Sequence, residues 1–307
     1  MFLTEGKKYV KQGKVKEIWD DGSYLYFRFT DNISVFDKII PTKIPSKGES
    51  LCLTGYHWFD LLNKNGIKNH LIELIDNNVM KVKKLDVITD YSKITEDRGN
   101  YLIPLEFIVR YYAAGSLMDR IKNGTITVDK LGFESGYNVK YGDKLPQPFF
   151  EVTTKLEHVD RTLTVKEAKK ISGLSEKDLD RIKDIIMKID RLMDAHTSKN
   201  GLIHVDGKKE FGMDENREPI VIDTFGTADE DRYWDSLEYN KGNFIELSKE
   251  FVRQYYRNIG YHSKLMEARA NHSVEPEIPP LPEKIVREVS DLYIRMYERL
   301  TNRKFPK

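Results

Sequence analysis

Residues 202–235 read LIHVDGKKEFGMDENREPIVIDTFGTADEDRYWD, and the rest of the chain is organised around them. With a period of two, the stretch places His204, Asp206, Lys208 and Glu210 on one strand face. Ile203, Val205 and Phe211 lie on the other, a mostly apolar face interrupted by Gly207 and Lys209. The polar run Asp214-Glu215-Asn216-Arg217 predicts a turn, and the apolar run 220–222 returns as the second arm of a hairpin that ends in Asp223. A turn centred between Asn216 and Arg217 sets Glu210 directly opposite Asp223, with both side chains on one face. Facing carboxylates repel unless something positive lies between them. An all-oxygen pair with no cysteine or clustered histidine favours magnesium over zinc; the alternative, on periodicity alone, is a solvated face balanced by Lys208.

The 307 residues are enough for one large domain or two modest ones with a sizeable core. Lys and Arg number 50 against 49 Asp and Glu, a formal net charge of +1, so no global field draws nucleic acid or an anionic membrane. Any anion site must be local. The single cysteine, Cys52, excludes an intramolecular disulfide framework and a multi-cysteine metal site, and its neighbours Leu51 and Leu53 predict a buried thiol. No apolar run approaches the roughly 20 residues of a membrane span, and the Lys7, Lys8 and Lys11 segment lacks the apolar core of a signal peptide, so a cytoplasmic protein is expected.

Working outward toward the N-terminus, residues 13–20 and 24–29 read as strands around a turn at Asp21-Gly22, and alternation puts Lys14 and Lys16 on one face. Two ammonium groups so placed suit a polyphosphate, although paired lysines are also common on edge strands. The run Asp31-Asn32-Ile33-Ser34-Val35-Phe36-Asp37 serves either as a substrate loop or as a turn. Residues 51–62 have helical spacing and residues 81–87 resume as strand, so residues 1–100 read as a mostly antiparallel sheet with one or two helices.

A second unit begins near Leu102. Residues 103–110 predict a strand, residues 111–120 turn it into a helix, and Gly115-Ser116 at the junction, with Arg110 nearby, either binds phosphate or simply starts the helix. A Gly-rich tract, expected to be flexible, leads through Leu145-Pro146-Gln147-Pro148 to Thr153-Thr154-Lys155, where its polar chemistry concentrates. Two capping boxes, Thr164 with Glu167 and Ser175 with Asp178, open helices, the second carrying Leu179, Ile182, Ile185, Ile186, Ile189, Leu192 and Met193 as a core stripe up to Asn200-Gly201. Beyond the central hairpin and its acidic loop, helical patterns run over 244–266, with a break at Gly260, and over 283–300.

Six stretches in order, GKVKEIWD (13–20), DNISVFD (31–37), IPLEFIVRYYAAGS (103–116), LPQPFFEVTTK (145–155), VDGKKEFG (205–212) and VIDTFGTADEDRYW (221–234), make the chain resemble the phosphoribosylaminoimidazole-succinocarboxamide synthase (SAICAR synthetase) family over nearly its whole length. The resemblance implies an α+β, two-lobed fold: a kinase-like antiparallel lobe binding ATP over 1–100, and a larger α+β lobe over 101–307 with C-terminal helices that binds substrate and metal. It implies a purine-biosynthetic ligase that uses ATP and Mg2+ to condense L-aspartate with carboxyaminoimidazole ribonucleotide. Lys14 and Lys16 then face the ATP phosphates, Glu210 and Asp223 hold magnesium, and Arg110, Ser116 and Arg232 hold the ribotide. Asp206 and Lys208 line the same cleft and share the catalytic role with Arg232, while Ser34, Asp37 and Lys155 contribute to substrate binding. The chain departs from many members at Thr224, where they carry Glu after the metal Asp, at Val35, where they carry Ala, and over 228–231, where they read Pro-Asp-Ser-Ser. The alternatives are a paralogous carboxylate–amine ligase, a small-molecule kinase built on the same lysines and carboxylates, and a non-catalytic nucleotide-binding regulator. Homo-oligomerisation is left open.

Overall fold

Three short strands, β1 (Lys8–Gln12), β2 (Lys16–Asp20) and β3 (Tyr24–Phe29), begin an antiparallel sheet at the start of the chain in the computed structural model, which describes residues 6–157 and 161–306. A small hairpin of β4 (Ser34–Val35) and β5 (Lys38–Ile39) follows. Its two turn residues, Phe36 and Asp37, both take positive φ, as the tightest hairpin turns require. Helix α1 (Lys47–Lys64) then leads into β6 (Leu71–Asp76) and β7 (Val79–Lys83), closing a five-stranded sheet in the order β1-β2-β3-β7-β6. The strand expected over 81–87 thus lies earlier, and β1, exposed at every position, carried no periodic signal.

The second sheet is built on two long neighbours, β8 (Tyr101–Tyr112) and β10 (Leu202–Met213). Strand β9 (Lys144–Thr154) pairs with the far side of β8, β11 (Pro219–Ile222) forms the hairpin with β10, and β12 (Arg232–Asp235) pairs with the start of β10. Pro146 and Pro148 hid β9 from sequence reading. They are tolerated because β9 is an edge strand, where a missing N–H can face outward. The tract before it, expected to be flexible, packs its own cluster of Leu117, Met118, Ile126, Leu131, Val139 and Leu145 around α2 (Ser116–Lys122). The predicted helix start at Tyr111 is corrected to Ser116, because residues 111 and 112 continue β8.

Both capping boxes form, opening α3 (Val165–Ser172) and α4 (Glu176–Thr197). Ile182, Ile186, Ile189 and Met193 of α4 are buried, and Leu179, Ile185 and Leu192 pack at the margin. After a short α5 (Ser236–Asn240), the pattern over 244–266 becomes α6 (Glu250–Asn258) and α7 (Tyr261–Ala270), separated at Gly260, whose φ of 76° no longer fits a helix. Helix α8 (Glu283–Thr301) returns across the molecule and lays Val289, Leu292, Met296 and Leu300 in a core shared with α1 and the first sheet. Each such side chain, fully buried, contributes roughly 1.5–3 kcal/mol. Cys52 is fully buried in that core. Among the described residues no helix is long and apolar enough to cross a membrane.

The central hairpin corrects the expected register by one residue. Asp214 N–H donates to Glu218 O at 2.9 Å and Arg217 N–H to Asp214 O at 3.0 Å, so the loop is the odd-numbered 215–217, with Arg217 at φ 60°. An odd loop centres the hairpin on Asn216, pairing Glu210 with Ile222 and leaving Asp223 one position beyond. A bulge between His204 and Asp206 also shifts the alternation, so His204 leaves the face expected for it and points into the core.

Candidate active site

Asp223 returns to Glu210 by its backbone. Its φ of 59°, left-handed and uncommon for a non-glycine residue, turns the side chain off the strand axis. Lys155, at the end of β9, ion-pairs with both carboxylates, lying 4.0 Å from Asp223 Oδ2 and closer still to Glu210. Lys16 ion-pairs with the other oxygen of Asp223, and Lys208 Nζ lies 3.1 Å from Glu210 Oε1, 2.7 Å from Glu106 and 3.6 Å from Glu230. Three ammonium groups therefore neutralise the pair. Burial would raise the Asp223 pKa, yet Lys16 and Lys155 hold it well below the carboxylate range; burial likewise opposes the lowering that Lys155 and Lys208 impose on Glu210. In return burial is outweighed at Lys208, where Glu230, Glu210 and Glu106 hold the ammonium well above the lysine range.

On one side of this knot an apolar cavity of about 350 Å³ opens between the sheets, lined by Ile18, Leu25, Phe27, Leu85, Val87 and Ile222. Its inner end is Lys155, Glu210 and Asp223. None of these residues stood out in the sequence, since an apolar position on a strand or link reads the same whether it lines a cavity or fills a core.

On the other side a polar cavity of about 450 Å³ is lined by Lys14, Ser34, Asp37, Lys208, Lys249 and Arg253, among others. Lys14 does not share a strand face with Lys16 as expected. It sits in the turn before β2, largely exposed, and pairs with Asp37 at the tip of the β4–β5 hairpin. Lys249 and Arg253, from the first turn of α6, were missed because SKEFVRQ reads as any solvated helix start.

Farther along β10, Asp206 Oδ2 accepts from Arg232 at 2.7 Å and from Arg110 at 3.4 Å, and Arg110 reaches Ser116 Oγ at 3.4 Å. Both guanidiniums are braced from behind, Arg110 by Glu151 at 2.7 Å and Arg232 by Glu246 and Glu250 at 3.5 Å. The pKa of Arg232 is raised further, its burial outweighed by Asp206, Glu246 and Glu250. Gly115 is required here: its φ is 54°, and a Cβ would fall 2.6 Å from an Arg232 nitrogen. Arg110, Ser116, Asp206 and Arg232 thus come together, as do Lys16, Lys155, Lys208, Glu210 and Asp223, and Ser34 and Asp37 face them across the polar cavity.

A magnesium ion fits this donor set. Among the described residues no three His, Cys, Asp or Glu side chains form a closed cage, and two carboxylates meeting at one ammonium are what an ion completed by phosphates and water needs. Thr224, beside them, brings a hydroxyl 3.4 Å from Lys16 Nζ.

Residues 9–268 match the family model for SAICAR synthetase. The chain belongs to the SAICAR synthetase family. It is 54% identical over 298 residues to the phosphoribosylaminoimidazole-succinocarboxamide synthase of Thermoplasma acidophilum, covering 97% of this chain and 100% of that one. Identity to the Thermoplasma volcanium enzyme of the same name is 53%, again over 97% of this chain and all of that one. Among solved structures, the SAICAR synthase of Saccharomyces cerevisiae complexed with SAICAR superposes with a TM-score of 0.75 at 26% identity, covering 99% of this chain and 98% of that one. A SAICAR synthetase in complex with ADP gives 0.68 at 25% identity, over 97% and 100%. The family's α+β fold is the one described above.

Proposed function

We infer that this chain is the ATP-dependent ligase that condenses L-aspartate with carboxyaminoimidazole ribonucleotide, giving SAICAR, ADP and phosphate in purine biosynthesis. The observation that carries the reading is the convergence of Lys16, Lys155 and Lys208 on Glu210 and Asp223, between an apolar cavity and a polar one. The apolar cavity takes the purine ring, and its inner end receives the phosphates. Residues 1–100 form the ATP-binding lobe and residues 101–307 the substrate- and metal-binding lobe, in the cytoplasm.

Glu210 and Asp223 hold Mg2+, which when bound neutralises phosphate charge and polarises the transferring group. Lys16 and Lys155 exchange their carboxylate partners for phosphate oxygens as nucleotide enters. Arg110, Ser116 and Arg232 hold the ribotide phosphate, oriented by Asp206, Glu151 and Glu250. Lys208 neutralises the carboxylate to be activated, which otherwise repels the γ-phosphate. A carboxylate cannot expel oxide, so ATP first converts it to an acyl phosphate, and the aspartate amine then displaces phosphate. Aspartate lies in the polar cavity, its carboxylates on Lys249 and Arg253 and its backbone near Ser34 and Asp37.

ADP release by the purified protein with ATP, Mg2+ and carboxyaminoimidazole ribonucleotide, with and without L-aspartate, tests this. Aspartate-dependent release with equal SAICAR formation is expected. Equal release without aspartate would indicate a kinase instead.

A further inference from the structure

Three consecutive acids, Asp229, Glu230 and Asp231, line the loop before β12, and two of them are already engaged. Asp229, 3% exposed, pairs with Lys47 at 2.8 Å and accepts from the Tyr293 hydroxyl. Asp231, fully buried, is 2.7 Å from His204 Nε2 and accepts from Gly226 N–H at 2.9 Å. Glu230 differs. Among the described residues its carboxylate accepts no hydrogen bond; its ion-pair partner is Lys208 at 3.6 Å, and 23% of the side chain opens into the polar cavity. The loop holds it there, because Thr227 Oγ1 accepts the N–H groups of Asp229 and Glu230 at 3.3 and 3.4 Å.

Lys208 connects this loosely paired carboxylate to the chemistry: the same ammonium that lies 3.6 Å from Glu230 lies 3.1 Å from Glu210 of the magnesium pair. A carboxyl group being activated beside Lys208 therefore lies next to Glu230. Beside the same loop, Lys249 lines the polar cavity with only a long ion pair to Asp229, at 3.7 Å, and its ammonium donates no hydrogen bond among the described residues. An amino acid with its carboxylate on Lys249 presents its ammonium toward Glu230.

We propose that Glu230 receives the ammonium of the incoming amino acid and removes its proton. The proposal rests on the ligase reading above. Glu230 takes one proton from the ammonium, and the freed lone pair forms the C–N bond at the acyl phosphate carbon. The carbon–oxygen bond to phosphate breaks, phosphate leaves with that electron pair, and the remaining extra N–H proton passes to the departing phosphate. Lys208 from β10, Glu106 from β8, Lys249 and Arg253 from α6, and Lys14 and Asp37 from the N-terminal lobe are the charged groups that face Glu230. From its other side come Lys47 of α1 and Tyr293 of α8, both turned to Asp229.

The test is the pH profile of kcat/KM for aspartate in the wild type, Glu230→Gln and Glu230→Asp. SAICAR formation by the wild type examines the ligase reading alone. Given that, Glu230→Gln is expected to lose about 100-fold or more at neutral pH, with unchanged KM for ATP and ribotide. The deficit should shrink tenfold per pH unit as free aspartate amine accumulates in solution. Glu230→Asp should restore a flat profile at lower amplitude. A pH-independent loss in Glu230→Gln, no loss, or an equal loss in ribotide affinity would overturn the proposal.

Discussion

Strand β10 is charged on both faces, and the two sets of charges are built for opposite purposes. On the cleft face the side chains of Asp206 and Lys208 keep 14% and 27% exposure; Asp206 is held by two arginines and Lys208 by three glutamates, so a phosphate can recruit the cations on this face. On the core face His204 and Lys209 have none: Lys209 Nζ lies 2.6 Å from Asp190, His204 binds Asp231, and Tyr111 donates to Asp190 at 2.6 Å. Gly207 has no side chain to keep Asp231 from this strand. Charge alone does not mark a site. What separates the faces is whether a ligand can reach the charges and replace one of their partners.

That contrast is breakable. Asp223→Asn should cut magnesium-dependent turnover by roughly a hundredfold or more while circular dichroism stays native, since the change removes a charge and not a shape. Lys209→Met should do the reverse. It strands Asp190 in the core, costing about 3–5 kcal/mol in a denaturant titration, while turnover per folded molecule stays near wild type. A Lys209→Met protein that is fully stable yet inactive would move the site to the wrong face. Lys16→Ala should raise the KM for ATP by about tenfold, the loss of one charge-assisted contact, and leave the KM for ribotide unchanged.

The smallest effect concerns pH, where the two faces carry opposite signs. Glu210 and Asp223 have folded pKa values below their unfolded ones, so their contribution is full above about pH 4 and is lost below it, as pH falls toward the lowered folded values. His204 behaves oppositely: burial pulls its pKa down, but the hydrogen bond and charge of Asp231 win and raise it above 6.5. Its contribution is full below pH 6.5 and fades as pH rises through the folded value. Denaturant midpoints against pH should thus lose their alkaline slope in His204→Phe and keep their acid slope.

Much of this was legible in the sequence because local chemistry and tertiary demand agree. The capping boxes at Thr164 and Ser175 need only neighbours three residues away, and the α4 stripe needs only one period. Asp206, Lys208 and Glu210 were placed together because a period of two survives along β10 from the bulge onward. The register was misjudged by one residue because loop parity cannot be read from four polar residues, and Asp223 reaches Glu210 only through a left-handed φ that no pattern announces. His204 was misplaced by a bulge, β9 by two prolines an edge strand accepts, and Lys249 and Arg253 because their role exists only once α6 packs beside the β4–β5 hairpin.

The claim that the cleft-facing carboxylates exchange lysine partners for a nucleotide-bound cation is tested most directly by Mn2+ binding, followed by electron paramagnetic resonance with and without ADP. Tight binding that needs ADP and is lost in Asp223→Asn is the expected result. Equally tight Mn2+ binding in Asp223→Asn with ADP present would contradict it.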